Sequence, residues 1–477
     1  MTNAVIRPQF GADWDPTSKF KEVEETGIGY GGLTGVTWNM MGKGERTVPI
    51  PRYAFDRLCE VMVAVSAYAK TLQRLASDDE VAALLGHKRP DKVKPSYGSG
   101  ALRFFRPDIV LFSGADGDLS FKITEIESAP GGLGMFEAVR MAYGYESPYP
   151  TVLQSLRKLI GDREFVVVMT HGWIDYVFDV CVAVKWLRDQ GVQARVIVDR
   201  SREDVEAFAT RLWRTRQREM PKFTSGQPNW RPELMQRLRQ YGFDQFVEWH
   251  AELPEQVAAR TVVFRTGYHG SFRDRDTVAK LLRWERKCSA TVLNGINPSL
   301  ENKGMMAALQ LPNVRSALKP SIGRDVLSLL DAHFAHTQVV SHSFSDLNAL
   351  CRGHRELVLK VAAWDQGDLL SWGARGITVG DDCTSREWEQ AIGQALAAPH
   401  PMVVQERVDS IRRNYRATVG QGGEPRNVMR ARQRWTPFVV VDDDGGVHID
   451  PGVITALDSF AAHGATRAVM APVEITD

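Results

Sequence analysis

The chain of 477 residues has little of several things that commonly announce a function. Its five cysteines, Cys59, Cys181, Cys288, Cys351 and Cys383, are odd in number and widely separated. With no C-x-x-C pair and no Cys/His group at zinc spacing, a disulfide framework and a zinc module are both excluded, and buried thiols of a reducing compartment are expected. Long apolar runs are missing too. Phe165–Met169 and Pro437–Val441 fall far short of the roughly 20 residues that a membrane span needs. The opening MTNAVIRPQFGADWD has no continuous apolar stretch of the kind found in a secretory signal. A cytoplasmic location is the expectation, with no membrane partner. Neither charge is in excess, since 59 Lys and Arg stand against 58 Asp and Glu. A protein that grips nucleic acid ordinarily carries a clear basic surplus, so that partner is not expected either.

What is present is ordinary for a globular protein: 43% hydrophobic, 25% charged and 9% aromatic residues. At roughly 100–200 residues per domain, the length allows about two to four domains. Apolar periodicity divides the chain into three parts. Residues 1–150 combine a Gly-rich opening with a helical stretch from about Tyr53 to Leu85 and strand-like runs around Asp108 and Ile123. Residues 151–310 read as βαβ units: strands at Phe165–Met169, Ala194–Val198, Val262–Arg265 and Ala290–Leu293, with helices over 175–190 and 274–286. A charged, Pro-broken segment near 211–250 interrupts them and reads as a surface insertion. Residues 311–477 alternate again, with strands at Leu357–Val361 and Met402–Glu406, a helix at Ser385–Ala397 and a hairpin turning at Asp442–Gly446. The fold class is α/β or α+β.

The segment RPDIVLFSGADGDLSFKITEIESAPGG, from Arg106 to Gly132, carries the most chemistry. Asp116-Gly117 between two alternating apolar runs predicts a two-residue hairpin turn. Ala115 then faces Asp118, which sets Asp108 opposite Glu125 and Arg106 opposite Glu127. Directly opposed residues have Cβ atoms about 4.5–5.5 Å apart, and like charges there repel. Three converging carboxylates therefore call for a cation, and Mg²⁺ typically binds through one or two carboxylates plus the phosphates of a nucleotide. The competing reading is a solvated edge strand whose acids pair with Arg106 and Lys122.

Two lysines stand in suggestive contexts. Lys303 lies in NGINPSLENKGMMAAL at the start of a helix, and Lys360 ends the apolar run LVLK. A desolvated ammonium must find a partner or shift its pKa, and phosphate would serve; so would snorkelling to the surface. Gly373 and Gly376 in SWGARGITVG would let backbone N–H groups approach phosphate oxygens, or would simply form a turn. The strand PMVVQERV would offer backbone groups to an adenine edge, or would be a plain core strand.

Together these pieces resemble an ATP-grasp ligase in circularly permuted order, similar to the branch that includes glutathionylspermidine-synthetase-like, amide-forming enzymes. The usual order is helix-start lysine, strand-end lysine, flexible Gly-rich loop, adenine hinge strand and, last, a metal motif of the Asp…Glu-x-Asn type. Here Lys303, Lys360, Gly373–Gly376 and Gln405–Val408 keep that order, while Asp108 and the Glu125-Ile126-Glu127 stretch precede them all. The resemblance spans roughly residues 100–470 and implies an ATP-grasp architecture with a pre-ATP-grasp-like βαβ domain. By position it assigns Asp108, Glu125 and Glu127 to Mg²⁺, Lys303 and Lys360 to phosphates, and Gln405, Glu406 and Val408 to adenine. The family usually has Asn where this chain has Glu127, so Glu127 either adds a ligand charge or turns to Arg106. Trp372 and Arg375 stand where the family's flexible loop is commonly smaller.

The activity so implied is ATP- and Mg²⁺-dependent joining of a carboxylate to an amine, on small-molecule or peptide substrates, through an acyl phosphate with release of ADP and phosphate. Phosphoryl transfer is mostly positioning and charge neutralisation, so no protein nucleophile is required. Arg375 and Arg106 are the expected catalytic cations, and Arg265 and His171 the expected substrate contacts. Other readings of the same motifs are a nucleotide-binding pseudo-enzyme or regulatory module, and a small-molecule kinase. A dinucleotide oxidoreductase is disfavoured, because neither βαβ unit opens with G-x-G-x-x-G.

Overall fold

A computed structural model describes residues 39–41, 47–85, 102–207, 234–250, 252–267, 275–295, 300, 302–340, 353–362, 376–398, 400–418, 425–457 and 469–477. The strands among these residues form three sheets, of eight, four and five strands. The α/β class expected from the sequence is the class observed.

The five-stranded sheet is parallel, in the order Val247–Trp249, Ala194–Val198, Phe165–Met169, Val262–Thr266, Thr291–Val292. FVVVM is buried along its whole length because a parallel sheet is covered on both faces. The helices Val177–Asp189 and Arg275–Lys287 provide crossovers between its strands. The expected βαβ units are present within a residue or two. One reading needs correction: Val247–Trp249, placed in the surface insertion, is an edge strand of this sheet. Three residues are too few to show a period of two.

The four-stranded sheet is antiparallel, in the order Thr337–Val339, Met402–Glu406, Leu357–Val361, Ile377–Val379. Helix Ser385–Ala397 begins with a capping box from Thr384 and Glu387, and its Trp388 and Ile392 pack on Leu359, Val361 and Val404.

The eight-stranded sheet cuts across chain order. Strands Pro425–Val441, Val447–Leu457 and Val469–Thr476 pair in succession, and the hairpin Phe104–Ser113/Leu119–Glu127 continues the sheet from Pro425–Val441. The 17-residue strand Pro425–Val441 has two partners along one edge: its first half pairs with Arg412–Thr418 and its second with Phe104–Ser113. Helical character from Tyr53 to Leu85 resolves into two helices, Arg52–Arg74 and Asp79–Leu85. The break comes where Asp78 accepts from the amides of Glu80 and Val81 at 3.1 and 3.2 Å and so caps the second helix. Arg52–Arg74 packs along the long helix Pro312–His333, and its Tyr68 hydroxyl donates to Met305 O.

After the hairpin the chain turns through Ser128–Gly132 into helix Leu133–Tyr143. Gly132 sits at φ 104°, and a Cβ on Gly134 would lie 2.3 Å from Asp179 O. Those glycines let helix Val177–Asp189 come close enough for buried Asp179 to accept from the amides of Gly132 and Met135, each at 2.8 Å. Among the described residues no helix is long and apolar enough to cross a membrane.

Candidate functional site

The hairpin delivers the expected pairs by a different route. Its loop has three residues, not two: the Gly114 amide donates to Asp118 O at 2.7 Å, and Gly117 takes the left-handed conformation at φ 84°. From the loop inward, Ser113 faces Leu119, and then Leu111 faces Phe121 and Ile109 faces Ile123, so in these last two pairs apolar residues meet apolar ones on the core side. The register then shifts between Ile109 and Asp108, with Thr124 as the extra residue, and beyond it Asp108 faces Glu125 and Arg106 faces Glu127. A bulge of this kind adds one residue to one strand and re-aims the side chains beyond it. Strict alternation would send Glu125 and Glu127 to the side of Phe121 and Ile123. The bulge turns them to the side of Asp108. The loop and the bulge each differ from the simple hairpin by one residue, and the two differences cancel at the carboxylates.

The bulge also presents the Thr124 carbonyl to the neighbouring sheet. Lys360 Nζ donates to Thr124 O at 3.3 Å and to Gln405 Oε1 at 2.7 Å, while Gln405 Nε2 donates to Thr124 O at 3.2 Å and to Thr337 Oγ1 at 2.9 Å. Backbone pairing of Ile123 with the Phe334–Ala335 segment joins the two sheets at the same point. Burial, opposed by nearby Glu125, lowers the Lys360 ammonium to about 8. Lys303 stands just before helix Gly304–Ala308, as expected, with Nζ 3.5 Å from Glu125 Oε1. Asn302, just ahead of it, accepts from the Gly304 amide at 2.7 Å.

On the far side, arginines hold the remaining acids. Asp108 Oδ2 accepts from Arg434 at 3.1 Å, and Asp108 Oδ1 lies 3.6 Å from Arg106 Nε. Arg106 binds Glu127 and also donates to Gly131 O at 2.7 Å. Glu127 thus turns to Arg106, the second of the two orientations open to it. Arg106 is a structural partner of Glu127 and of the glycine turn as well as a cation of the site. Burial raises the Glu127 carboxyl to about 7, Arg106 opposes that rise, and Asp108 and Glu125 add to it.

A carboxyl raised in the folded state favours folding below its unfolded pKa, and that contribution is lost as pH rises through about 7. Glu127→Gln is therefore expected to gain stability relative to the wild type between about pH 5 and 8. Thermal melts across that range test it, and a constant difference between the two proteins would count against the assignment.

Other expected site residues fall differently. Arg265 is fully buried and donates to backbone carbonyls of Gly267, Asn294 and Gly295, so it clamps a turn and does not present its guanidinium to a substrate. The backbone of Met402–Glu406 is paired on both edges, and the Glu406 and Arg407 amides donate to His336 O and Glu356 O. That strand has no free edge for adenine, and Val408 lies two residues past its end. The Glu406 carboxylate accepts from the His336 amide at 2.9 Å and pairs with Lys122 at 3.1 Å. His171 opens a 3-10 turn after strand Phe165–Met169, but its side chain lies outside the described residues. So do Gly373 and Arg375; Gly376 is described, at φ 66°, with its carbonyl accepting from Val361 N at 3.0 Å. Sequence reasoning missed Arg434. The signal was the alternation R-A-R-Q-R-W from Arg430, in which Ala431, Gln433 and Trp435 are buried and the arginines between them are not.

No family model matches the chain, and no curated protein matches it. Among solved structures it is similar to a glutathione synthetase-like effector from Globodera pallida in the apo form, at 11% identity over 97% of this chain and 98% of that one, with a TM-score of 0.47. A likeness at that level carries no argument about reaction or substrate.

Proposed function

We propose that the protein is an ATP- and Mg²⁺-dependent ligase that joins a carboxylate to an amine, on a circularly permuted ATP-grasp architecture. One observation carries this reading: two lysines from different elements, Lys303 and Lys360, converge on the face of the hairpin that bears Asp108 and Glu125. Positive groups on one side and carboxylates on the other are what a metal-bound triphosphate requires. The permuted order is supported by the large sheet, in which the early hairpin extends the strands that end the chain.

The donor set suits Mg²⁺ in a particular way. Among the described residues no three of His, Cys, Asp and Glu form a ready-made metal cage. Asp108 and Glu125 would supply carboxylate oxygens and phosphate the others, which is the usual partition for this ion. Glu127 is committed to Arg106. Asp108 and Glu125 would hold the ion, whose charge would offset that of the phosphates. Lys360 and Lys303 would hold the phosphate oxygens from the other side, and Lys303 would exchange Glu125 for phosphate. Arg106 and Arg434, beside Asp108, would steady the negative charge of the carboxylate undergoing phosphorylation. An amine would then displace phosphate from the acyl phosphate.

The test is nucleotide release from purified protein with Mg·ATP and pools of acids and amines. Amine-dependent ADP and phosphate are the expected products. AMP and pyrophosphate would replace this mechanism with adenylation. A second reading, a nucleotide-binding module without turnover, is favoured by the Glu127–Arg106 pairing, and ATP binding without ADP release would establish it.

A further inference from the structure

The near-zero net charge of the chain conceals a strongly basic ribbon. Strands Arg412–Thr418 and Pro425–Val441 carry seven arginines, Arg412, Arg413, Arg416, Arg426, Arg430, Arg432 and Arg434, and no Asp, Glu or Lys. Two of them face each other directly, since Arg412 and Arg432 are cross-strand partners, an arrangement that like charges disfavour. Arg407 adjoins them: together with Arg412 it holds the Arg432 guanidinium below its ordinary value, after burial, which is the larger cause. Acids among the described residues nearby include Asp381, which pairs with Arg407 at 2.6 Å, and Asp409, which pairs with Arg412 at 3.4 Å and is largely exposed.

The ribbon also has a direction. Arg432 and Arg434 occupy alternate positions on one face of the long strand, while Ala431, Gln433 and Trp435 fill the core on the other. Arg430 precedes them at a left-handed backbone position, φ 50°. Arg430 and Arg412 are exposed, Arg432 is half-buried, and Arg434 ends the row on Asp108. Alternate positions of a strand recur about every 7 Å. An extended peptide has the same repeat, so acidic side chains at every second residue would match the row.

We infer that this arginine row is the docking strip of the acid substrate, and that the substrate is an extended acidic peptide with carboxylates at alternate positions. This rests on the ligase reading and adds the substrate class to it. One end of the peptide reaches the Asp108–Glu125–Lys360 cleft, and its outer carboxylates lie across Arg432, Arg412 and Arg407. Nucleic acid fits less well, because the row narrows from exposed Arg430 to the partly buried Arg434 instead of crossing an open surface.

The test is calorimetric titration of the full chain with the pentapeptide Glu-Ala-Glu-Ala-Glu, its glutamine counterpart and a short single-stranded oligonucleotide, and separately with Mg·ATP. The glutamate peptide is expected to bind and the glutamine peptide not. Arg432→Gln and Arg412→Gln should each weaken peptide binding by about tenfold or more, as loss of a charge-assisted hydrogen bond does. Mg·ATP affinity should not change, which also shows that each variant is folded. Absence of peptide binding by the wild type, equal affinity in the variants, or preference for the oligonucleotide would each overturn the inference. Failure of the ligase reading looks different: Mg·ATP does not bind, or no amine-dependent ADP appears, whatever the peptide does.

Discussion

Lys360→Ala is expected to lose nearly all ATP-dependent turnover, by about 10²–10³-fold, the usual cost of removing one preorganised charge-stabilising donor. The lysine is 8% exposed and is held by Gln405 and Thr124 at the seam of two sheets. The pH dependence sharpens the test. Because burial lowers this ammonium to about 8, the free protein sheds the proton as pH rises through that value. Phosphate binding should weaken accordingly. Stability should move the other way: the unfolded chain keeps the proton up to the ordinary lysine range, so the contribution of this group to stability rises from about pH 8 upward. Nucleotide affinity measured by titration, beside melting temperature, should show the two trends diverge. Full turnover in Lys360→Ala would remove the site assignment.

The largest stability effect is expected at Asp450→Ala, about 3–5 kcal/mol. Asp450 is almost fully buried and accepts from Arg140 Nη1 through both oxygens at 3.0 Å, and from the amides of Val152 and Gly452 at 2.8 Å each. Its removal leaves the buried Arg140 guanidinium to Glu137, at 2.8 Å, and deprives two amides of their acceptor. Adding Arg140→Met to that variant should restore part of the loss, since the stranded charge is then gone. The position bears on function, because Arg140 lies in the helix that follows the carboxylate hairpin. Denaturant midpoints measure both changes; a shift equivalent to less than about 1 kcal/mol for Asp450→Ala would show that the pair is dispensable.

Much of the fold was legible because its signals are local. Strands such as Phe165–Met169 and Met402–Glu406 are short apolar runs between turns, and the Ser385–Ala397 helix begins with a capping box that can be read from Thr384 and Glu387. The carboxylate pairs were legible for a less secure reason. Asp116-Gly117 signals a tight turn but does not distinguish two loop residues from three, and nothing local to Thr124 marks a bulge. Pairing of Ile109 with Ile123 and Leu111 with Phe121 was available as an argument, since apolar neighbours on a buried face fix register more firmly than a turn does. Arg265 misled because an arginine near the end of a strand looks the same whether it meets a ligand or backbone carbonyls. Arg434 was hidden by distance, since its partner Asp108 lies 326 positions earlier.

That separation has a consequence for how the molecule is made. At roughly 5–20 residues per second, synthesis on the ribosome takes on the order of twenty seconds to a minute to pass from Asp108 to Arg434. The parallel sheet, drawn from residues 165–292, is complete well before then. The hairpin is not: its neighbour in the large sheet, Pro425–Val441, has yet to emerge, and so has the buried partner of Arg140. During that interval the strand Phe104–Ser113 presents an unpaired edge, which is the kind of surface that recruits chaperones or other chains. The nascent protein therefore carries Asp108 with Arg106 alone beside it long before Arg434, its second arginine partner, is made. Expression at low temperature or with added chaperone capacity should raise the soluble yield for this reason, through the order in which the sheet is assembled.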